Sequence, residues 1–360
     1  MPQLRNSPRK TNPHIMSADA PVAVPHSSEC KVAVLGAGSW GTALAMQLVR
    51  VGTRALLWGR NPEHVKAMNV AGCNQRFLPD VRFPGGLELE SILENAVRSS
   101  NEVLIVVPCD AFVEIVSQIE PWLSPGQGIA WACKGLEPGS GRFLHHAAIQ
   151  AVGDGRPMAV VTGPSFATEV AANLPTAVTV AGTDEHYCAR IAQALHGGNF
   201  RAYTSDDIVG AELGGAVKNV LAIATGISDG MGFGNNARAA LITRGLAEMM
   251  RLGRILGAQE QTLTGLAGMG DLVLTSTGNL SRNRRLGLAL GAGKSVEEAR
   301  AEIGQVVEGI STSEEVWRLA QRHGVEMPIS EQINGIIHKG WDPNRSVREL
   351  LSREQKAENV

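Results

Sequence analysis

One lysine, Lys218, sits in the run GGAVKNVLAIATGISDGMGFGNN, which spans 214–236 and is otherwise small and apolar around it. On a helix its neighbours three and four positions away are Gly214, Gly215, Leu221 and Ala222, none of which can pair with an ammonium. Either its methylene stem carries the charge to water, or the charge meets a group brought from elsewhere. Lysine ordinarily titrates at about 10.4, too high for ready proton exchange at neutrality. Burial among apolar neighbours and a nearby second cation lower that value. The segment, with no acid at helical spacing, therefore suits either a solvated lysine or a general acid or base whose proton exchanges near neutrality.

Three further clusters place polar groups where apolar ones would be expected. WACKG ends an apolar run with Lys134, and open α/β sheets bind ligands beyond the carboxyl ends of their strands. TGPSFA, 162–167, follows another such run and offers Gly163, Ser165 and backbone amides to a ligand. Asp271 follows Gly270, and Ser281, Arg282 and Asn283 supply consecutive donors suited to a phosphate. Taken singly, each also reads as a surface turn or a solvated helix cap.

The hexapeptide GAGSWG stands directly after the apolar run KVAVL and opens a helical pattern. In that context it is a dinucleotide fingerprint. Gly36 allows the tight turn, Gly38 lets backbone approach a pyrophosphate, and Gly41 permits close helix packing. Nineteen residues past Gly41, where an acid would hold the ribose of NAD, the chain has Arg60. A guanidinium there favours NADP(H), with NAD(H) as a second cofactor.

These residues require strands to present them. Apolar β-rich runs at 31–35, 54–58, 102–107, 128–132, 158–161 and 176–180 are separated in several places by helical patterns at 42–51, 62–71, 91–99 and 111–120. That alternation predicts a parallel, doubly wound, Rossmann-like sheet. Beyond residue 205 the texture becomes helical, at 210–226, 236–256, 295–302, 311–323 and 328–338. The expected fold is α/β, with an N-terminal dinucleotide-binding domain at 30–205 and an all-α substrate domain at 206–345. Residues 346–360 are read as a tail, and 1–29 as a disordered extension. The extension carries five prolines up to residue 28 and has Met16 as an alternative start.

The totals narrow the partners. A chain of 360 residues exceeds the size at which one core stops growing, which makes two domains the default. A net charge of −2 gives no basis for nucleic-acid binding. No apolar run in the sequence approaches the roughly 18 residues that span a bilayer. The five cysteines, at 30, 73, 109, 133 and 188, form no CxxC pair, and no His, Asp or Glu set, including His145 and His146, has metal-ligand spacing.

From about 31 to 339 the chain resembles the bacterial NAD(P)-dependent glycerol-3-phosphate dehydrogenase family. GAGSWGTA, ACKG, TGPSFA, LAGMGDL, SRNRR and GQVVEG occur in that family's order, and 215–236 matches its signature throughout. The extension before residue 31 is the part without a counterpart. The resemblance implies a helical second domain like that of 6-phosphogluconate dehydrogenase. It also implies reversible hydride transfer between NAD(P)H and dihydroxyacetone phosphate, giving sn-glycerol 3-phosphate for phospholipid synthesis. It makes Lys218 the catalytic acid/base and puts Lys134, Gly163, Ser165, Asp271, Ser281, Arg282 and Asn283 at substrate positions. Ser39, Trp40, Arg60, Lys134, Ala167, Arg282, Val306 and Glu308 fall at cofactor positions. It further implies a cytoplasmic homodimer. Two other readings share the features: a dehydrogenase of the 6-phosphogluconate or β-hydroxyacid type, and a non-catalytic NADPH sensor. The retained Lys218, Lys134 and Asp271 argue against the sensor, which needs only the nucleotide turn.

Overall fold

A computed structural model describes residues 30–351. The expectations for 1–29, including the alternative start, lie outside the described residues. Eight strands form one sheet: β1 (Lys31–Leu35), β2 (Arg54–Trp58), β5 (Glu88–Glu90), β6 (Glu102–Ile105), β7 (Ile129–Trp131), β8 (Met158–Thr162), β9 (Thr176–Gly182) and β10 (Phe200–Ser205). Their spatial order is β10-β9-β8-β7-β6-β1-β2-β5, and β3 (Cys73–Asn74) pairs with β4 (Leu78–Arg82) in a separate hairpin.

The strands that read as continuous apolar runs do so because both faces of the sheet are covered. Val32 and Val34 pack on one face with the helix Ser39–Arg50, whereas Ala33 and Leu35 join a second core on the other. Chain order reverses between β1 and β6, the crevice where such sheets bind nucleotides.

One pair departs from the parallel expectation: β8 and β9 are antiparallel, with Thr162 opposite Thr179. The link between them holds only the five-residue helix Ala167–Ala171. That helix rises about 7.5 Å, against roughly 17 Å for a five-residue strand. It cannot return the chain to the far end of the sheet, and β9 starts where β8 stops.

The helical half is built around Ile208–Gly230, whose start is capped by Asp207 accepting from Gly210 N at 2.7 Å. This helix is 23 residues long and apolar enough by length and composition to cross a membrane, which corrects the sequence estimate. It is a core helix, with 94% of its most apolar window buried inside the protein. Its glycines serve contact rather than flexibility. A β-carbon on Gly226 would lie 2.3 Å from Arg284 O, and one on Gly287 would lie 2.2 Å from Ile223 O. Backbones of Ile208–Gly230 and Arg282–Gly291 thus touch directly. A last helix, Pro343–Leu351, runs through the 345/346 point where the sequence reading ended the helical domain.

Candidate active site

The nucleotide turn lies at the carboxyl end of β1. Gly36 takes φ +130°, and a β-carbon there would lie 2.5 Å from Val106 O. A β-carbon on Gly41 would lie 1.9 Å from Gly36 O, which packs the first helical turn onto the loop. At Gly38 a β-carbon would meet nothing within 4 Å. That open backbone, a first helical turn free of acids and the buried Trp40 Nε1 with no protein partner form a cradle that fits a pyrophosphate. Ser39 Oγ donates to Phe77 O at 2.7 Å, and Asn74 Nδ2 donates to Ala37 O at 3.0 Å, so the β3–β4 hairpin steadies the turn. Arg60 is exposed two residues past β2.

The lysines meet where the Lys218 helix packs against the stretch that follows β7. Gly214 and Gly215 let the Lys218 helix press against its neighbours. A β-carbon on Gly214 would lie 2.5 Å from Ala267 O, and one on Gly215 would lie 3.2 Å from Thr162 Oγ1 and 3.7 Å from the Lys134 stem. Lys218 Nζ donates to Asp271 Oδ1 at 3.1 Å and to Thr275 Oγ1 at 3.0 Å. Lys134 Nζ donates to the other oxygen, Asp271 Oδ2, at 2.8 Å, and also to Gly163 O at 2.8 Å and Ser165 Oγ at 3.4 Å. The side chains of Lys218 and Asp271 are only 9% and 2% exposed.

The Lys218 helix offers no acid at helical spacing, and the charge meets a group brought from elsewhere: the carboxylate comes from the helix Asp271–Thr277. Burial is the largest influence on Lys218 and lowers its pKa; Asp271 opposes this and Lys134 reinforces it, leaving the amine at about 8. Burial pushes the Asp271 carboxyl up, but the two lysines outweigh it and hold the group below its ordinary value.

A second network lies beside the first. Arg282, exposed on the first turn of Arg282–Gly291, donates from Nη1 to Val306 O at 2.7 Å. Burial pushes the Glu308 carboxyl up, Arg282 opposes that shift, and Cys109 Sγ donates to Glu308 Oε2 at 3.5 Å. Ser281 is occupied as a helix cap, accepting from Arg284 N at 3.1 Å. Asn283 Nδ2 donates to Asn219 Oδ1 at 2.8 Å, and Asn219 Nδ2 to Lys134 O at 2.8 Å. The structure thus gathers Lys134, Gly163, Ser165, Lys218 and Asp271, links Asn283 to them through Asn219, and joins Arg282 to Val306. Ala167 opens the short helix after Ser165, while Arg60 stands apart beside the nucleotide turn.

Two members were not singled out from the sequence. Asn219 directly follows Lys218 in an apolar helix, and Thr275 lies four residues after Asp271, the spacing that aligns side chains on one helix face. Among the described residues no group of three or more His, Cys, Asp or Glu could hold a metal. The arrangement supplies a buried ammonium that exchanges its proton near working pH, with donors placed for an oxyanion.

Comparison with known proteins agrees in both halves. Residues 31–188 match the family model for the NAD-dependent glycerol-3-phosphate dehydrogenase N-terminus, and 207–348 match the model for its C-terminus. The chain is 55% identical over 328 residues to a glycerol-3-phosphate dehydrogenase of Xanthomonas euvesicatoria, covering 91% of this chain and 96% of that one. It is 54% identical over 333 residues to the Aeromonas salmonicida protein of the same name, covering 92% and 100%. The crystal structure of the Coxiella burnetii glycerol-3-phosphate dehydrogenase superposes with a TM-score of 0.88 at 50% identity, covering 91% of this chain and all of that one. A nucleotide cradle and two lysines on one buried carboxylate, in a chain matched along both halves, place this protein in the NAD(P)-dependent glycerol-3-phosphate dehydrogenase family.

Proposed function

We propose that the protein reduces dihydroxyacetone phosphate to sn-glycerol 3-phosphate reversibly, with Lys218 as proton donor. The observation that carries this reading is the buried Lys218 ammonium, lowered to about 8 and held between Asp271 and Thr275. The nicotinamide, when bound, supplies hydride to the carbonyl carbon. Lys218 gives its proton to the oxygen, and Asp271 orients the ammonium and balances the charge of Lys134. Lys134, Ser165 and the Gly163 backbone stand beside the reacting oxygen, while Ser281, Arg282 and Asn283 lie on the helix start that receives the phosphate.

The cofactor is assigned to the turn Gly36–Gly41 with Ser39 and Trp40, to Lys134, Ala167, Arg282, Val306 and Glu308, and to Arg60. Arg60 makes NADP(H) the preferred form and NAD(H) the alternative. The same reading places the enzyme in the cytoplasm, as a homodimer that feeds glycerophospholipid synthesis.

The test is NADPH consumption by the purified protein with dihydroxyacetone phosphate, beside a panel of β-hydroxyacids and 6-phosphogluconate run in the oxidative direction. Turnover with the triose phosphate and formation of sn-glycerol 3-phosphate are expected. Turnover confined to the hydroxyacids would replace the assignment, and binding of NADPH without any turnover would favour a sensor.

A further inference from the structure

Six residues before Lys218, on the same helix, Glu212 carries a carboxylate that the chemistry above does not use. It is 4% exposed and accepts three hydrogen bonds. Trp131 Nε1 donates at 3.2 Å, His145 N at 3.1 Å, and the His145 ring faces it through Nδ1 at 2.5 Å. Trp131 is the last residue of β7, three before Lys134, and His145 lies in the first turn of the helix Leu144–Val152. One side chain thus ties the Lys218 helix to the strand that delivers Lys134 and to the helix behind that strand.

Asn219 makes a second tie, donating to Lys134 O at 2.8 Å. The seven steps of helix from Glu212 to Asn219, about 10 Å at 1.5 Å per residue, are therefore fastened at both ends to the stretch 131–134. The Trp131 ring is fully buried and packs edge-on to Phe112, with centroids 5.5 Å apart, so it cannot drift to follow a displaced helix. A carboxylate suits three donors because both its oxygens accept; an amide has one accepting oxygen.

We propose that Glu212 is a positioning residue for the reaction: its carboxylate sets the separation of Lys134 and Lys218 that lets Asp271 bridge both amines. This rests on the assignment of Lys218 as proton donor. The titratable groups facing Glu212 are His145, His146, which burial lowers against the pull of Glu212, and the Cys133 thiol, which burial chiefly, and Glu212 further, push up. Those facing Lys218 are Asp271, Lys134 and Glu308.

The experiment compares Glu212→Ala, Glu212→Gln and Trp131→Phe with the wild-type enzyme across pH, in dihydroxyacetone phosphate reduction counted per NADPH-binding site. Displacement of a catalytic group by about an ångström costs up to roughly 10²-fold. Glu212→Ala is therefore expected to lower kcat by about 10- to 100-fold, with KM for NADPH within about twofold of wild type. Asp271 stays with Lys218, since Asp271 and Thr275 of one helix both bond that amine. Burial and Lys134, the influences that lower Lys218, weaken when the two segments separate, and the alkaline limb is expected to move to higher pH. Glu212→Gln keeps the oxygen shared by Trp131 and His145 N and is expected to recover most of kcat.

A merely structural role would change thermal stability and the active fraction while leaving kcat per site and the limb in place. That result overturns the proposal. Should Glu212→Ala fail to fold, Trp131→Phe removes the indole donor while keeping an aromatic ring against Phe112, and the same comparison decides: a smaller kcat loss with an upward limb supports the role, and wild-type values refute it. Absence of turnover in the wild-type enzyme would instead refute the proton-donor assignment, a distinct outcome.

Discussion

Lys218 lies 3.1 Å from Asp271, fifty-three residues further along the chain, although no residue at helical spacing around Lys218 carries a negative charge. The carboxylate is shared, since Lys134 occupies its second oxygen at 2.8 Å. Two ammoniums on one carboxylate leave a net positive charge in a buried site. That excess favours an oxyanion and makes release of a proton from Lys218 easier.

Asp271→Asn tests the balance directly. Asp271 raises the Lys218 pKa against the stronger effect of burial, so its loss should lower that pKa further from about 8. Reduction needs the protonated amine; the alkaline limb of kcat should therefore move to lower pH, with kcat at neutrality reduced about tenfold or more. A limb unmoved or displaced upward in a pH–rate profile would contradict the charge assignment.

Arg60→Ala addresses cofactor choice. Loss of a charge-assisted contact to a 2′-phosphate is worth roughly 1.5–3 kcal/mol, so KM for NADPH should rise about tenfold or more while that for NADH stays nearly constant. Parallel kinetics with the two cofactors check this. An unchanged KM for NADPH would leave Arg60 a solvated arginine.

Gly287→Ala probes the helix contact that sets the start of Arg282–Gly291 against the Lys218 helix. The added β-carbon would fall 2.2 Å from Ile223 O and 2.8 Å from Gly226 Cα, both backbone atoms that cannot step aside. Forced apart, the helices should lose about 1–3 kcal/mol of stability, read as a lower denaturation midpoint. Unchanged stability would mean that the contact has room the structure does not show.

Glu248 gives a pH prediction away from the chemistry. It is 1% exposed and accepts from Ile329 N at 2.6 Å and Ser330 Oγ at 3.0 Å at the start of Pro328–Lys339. Burial raises its carboxyl from 4.5 to about 7 despite those donors. The folded state therefore holds this proton to higher pH than the unfolded chain does. The resulting penalty is absent below about pH 4.5, grows as pH rises to about 7, and reaches up to about 3 kcal/mol. Glu248→Gln should flatten that part of the stability–pH curve; denaturant titrations with an unaltered slope would refute the assignment.

Much of the sheet was legible because its strands announce themselves as apolar runs. Lys31–Leu35 and Arg54–Trp58 have the ends the sequence suggested. β10 was not, since its residues FRAYTS form an edge with Arg201, Thr204 and Tyr203 exposed, and neither was the β3–β4 hairpin with its Pro79 and Asp80. The Lys218 helix was read too short at both ends. Asp207 caps it earlier than the apolar pattern starts, and Gly226 and Gly230 look like stops although they are contact points. The helix Arg282–Gly291 escaped notice for the same reason, as its glycines and arginines mask a buried stripe of Leu286 and Leu290. At the site, Lys218 stood out through its apolar setting. Asp271 as its partner could not be read from spacing, because that pairing exists only once two helices pack.

The central claim is that Lys218 passes the proton during reduction, and the most direct measurement is kcat of Lys218→Met for dihydroxyacetone phosphate reduction, with NADPH binding measured alongside. The account predicts a fall of roughly 10²–10⁴-fold, as for other general acids, with the cofactor still bound. Turnover close to wild type in a variant that lacks this amine would contradict it.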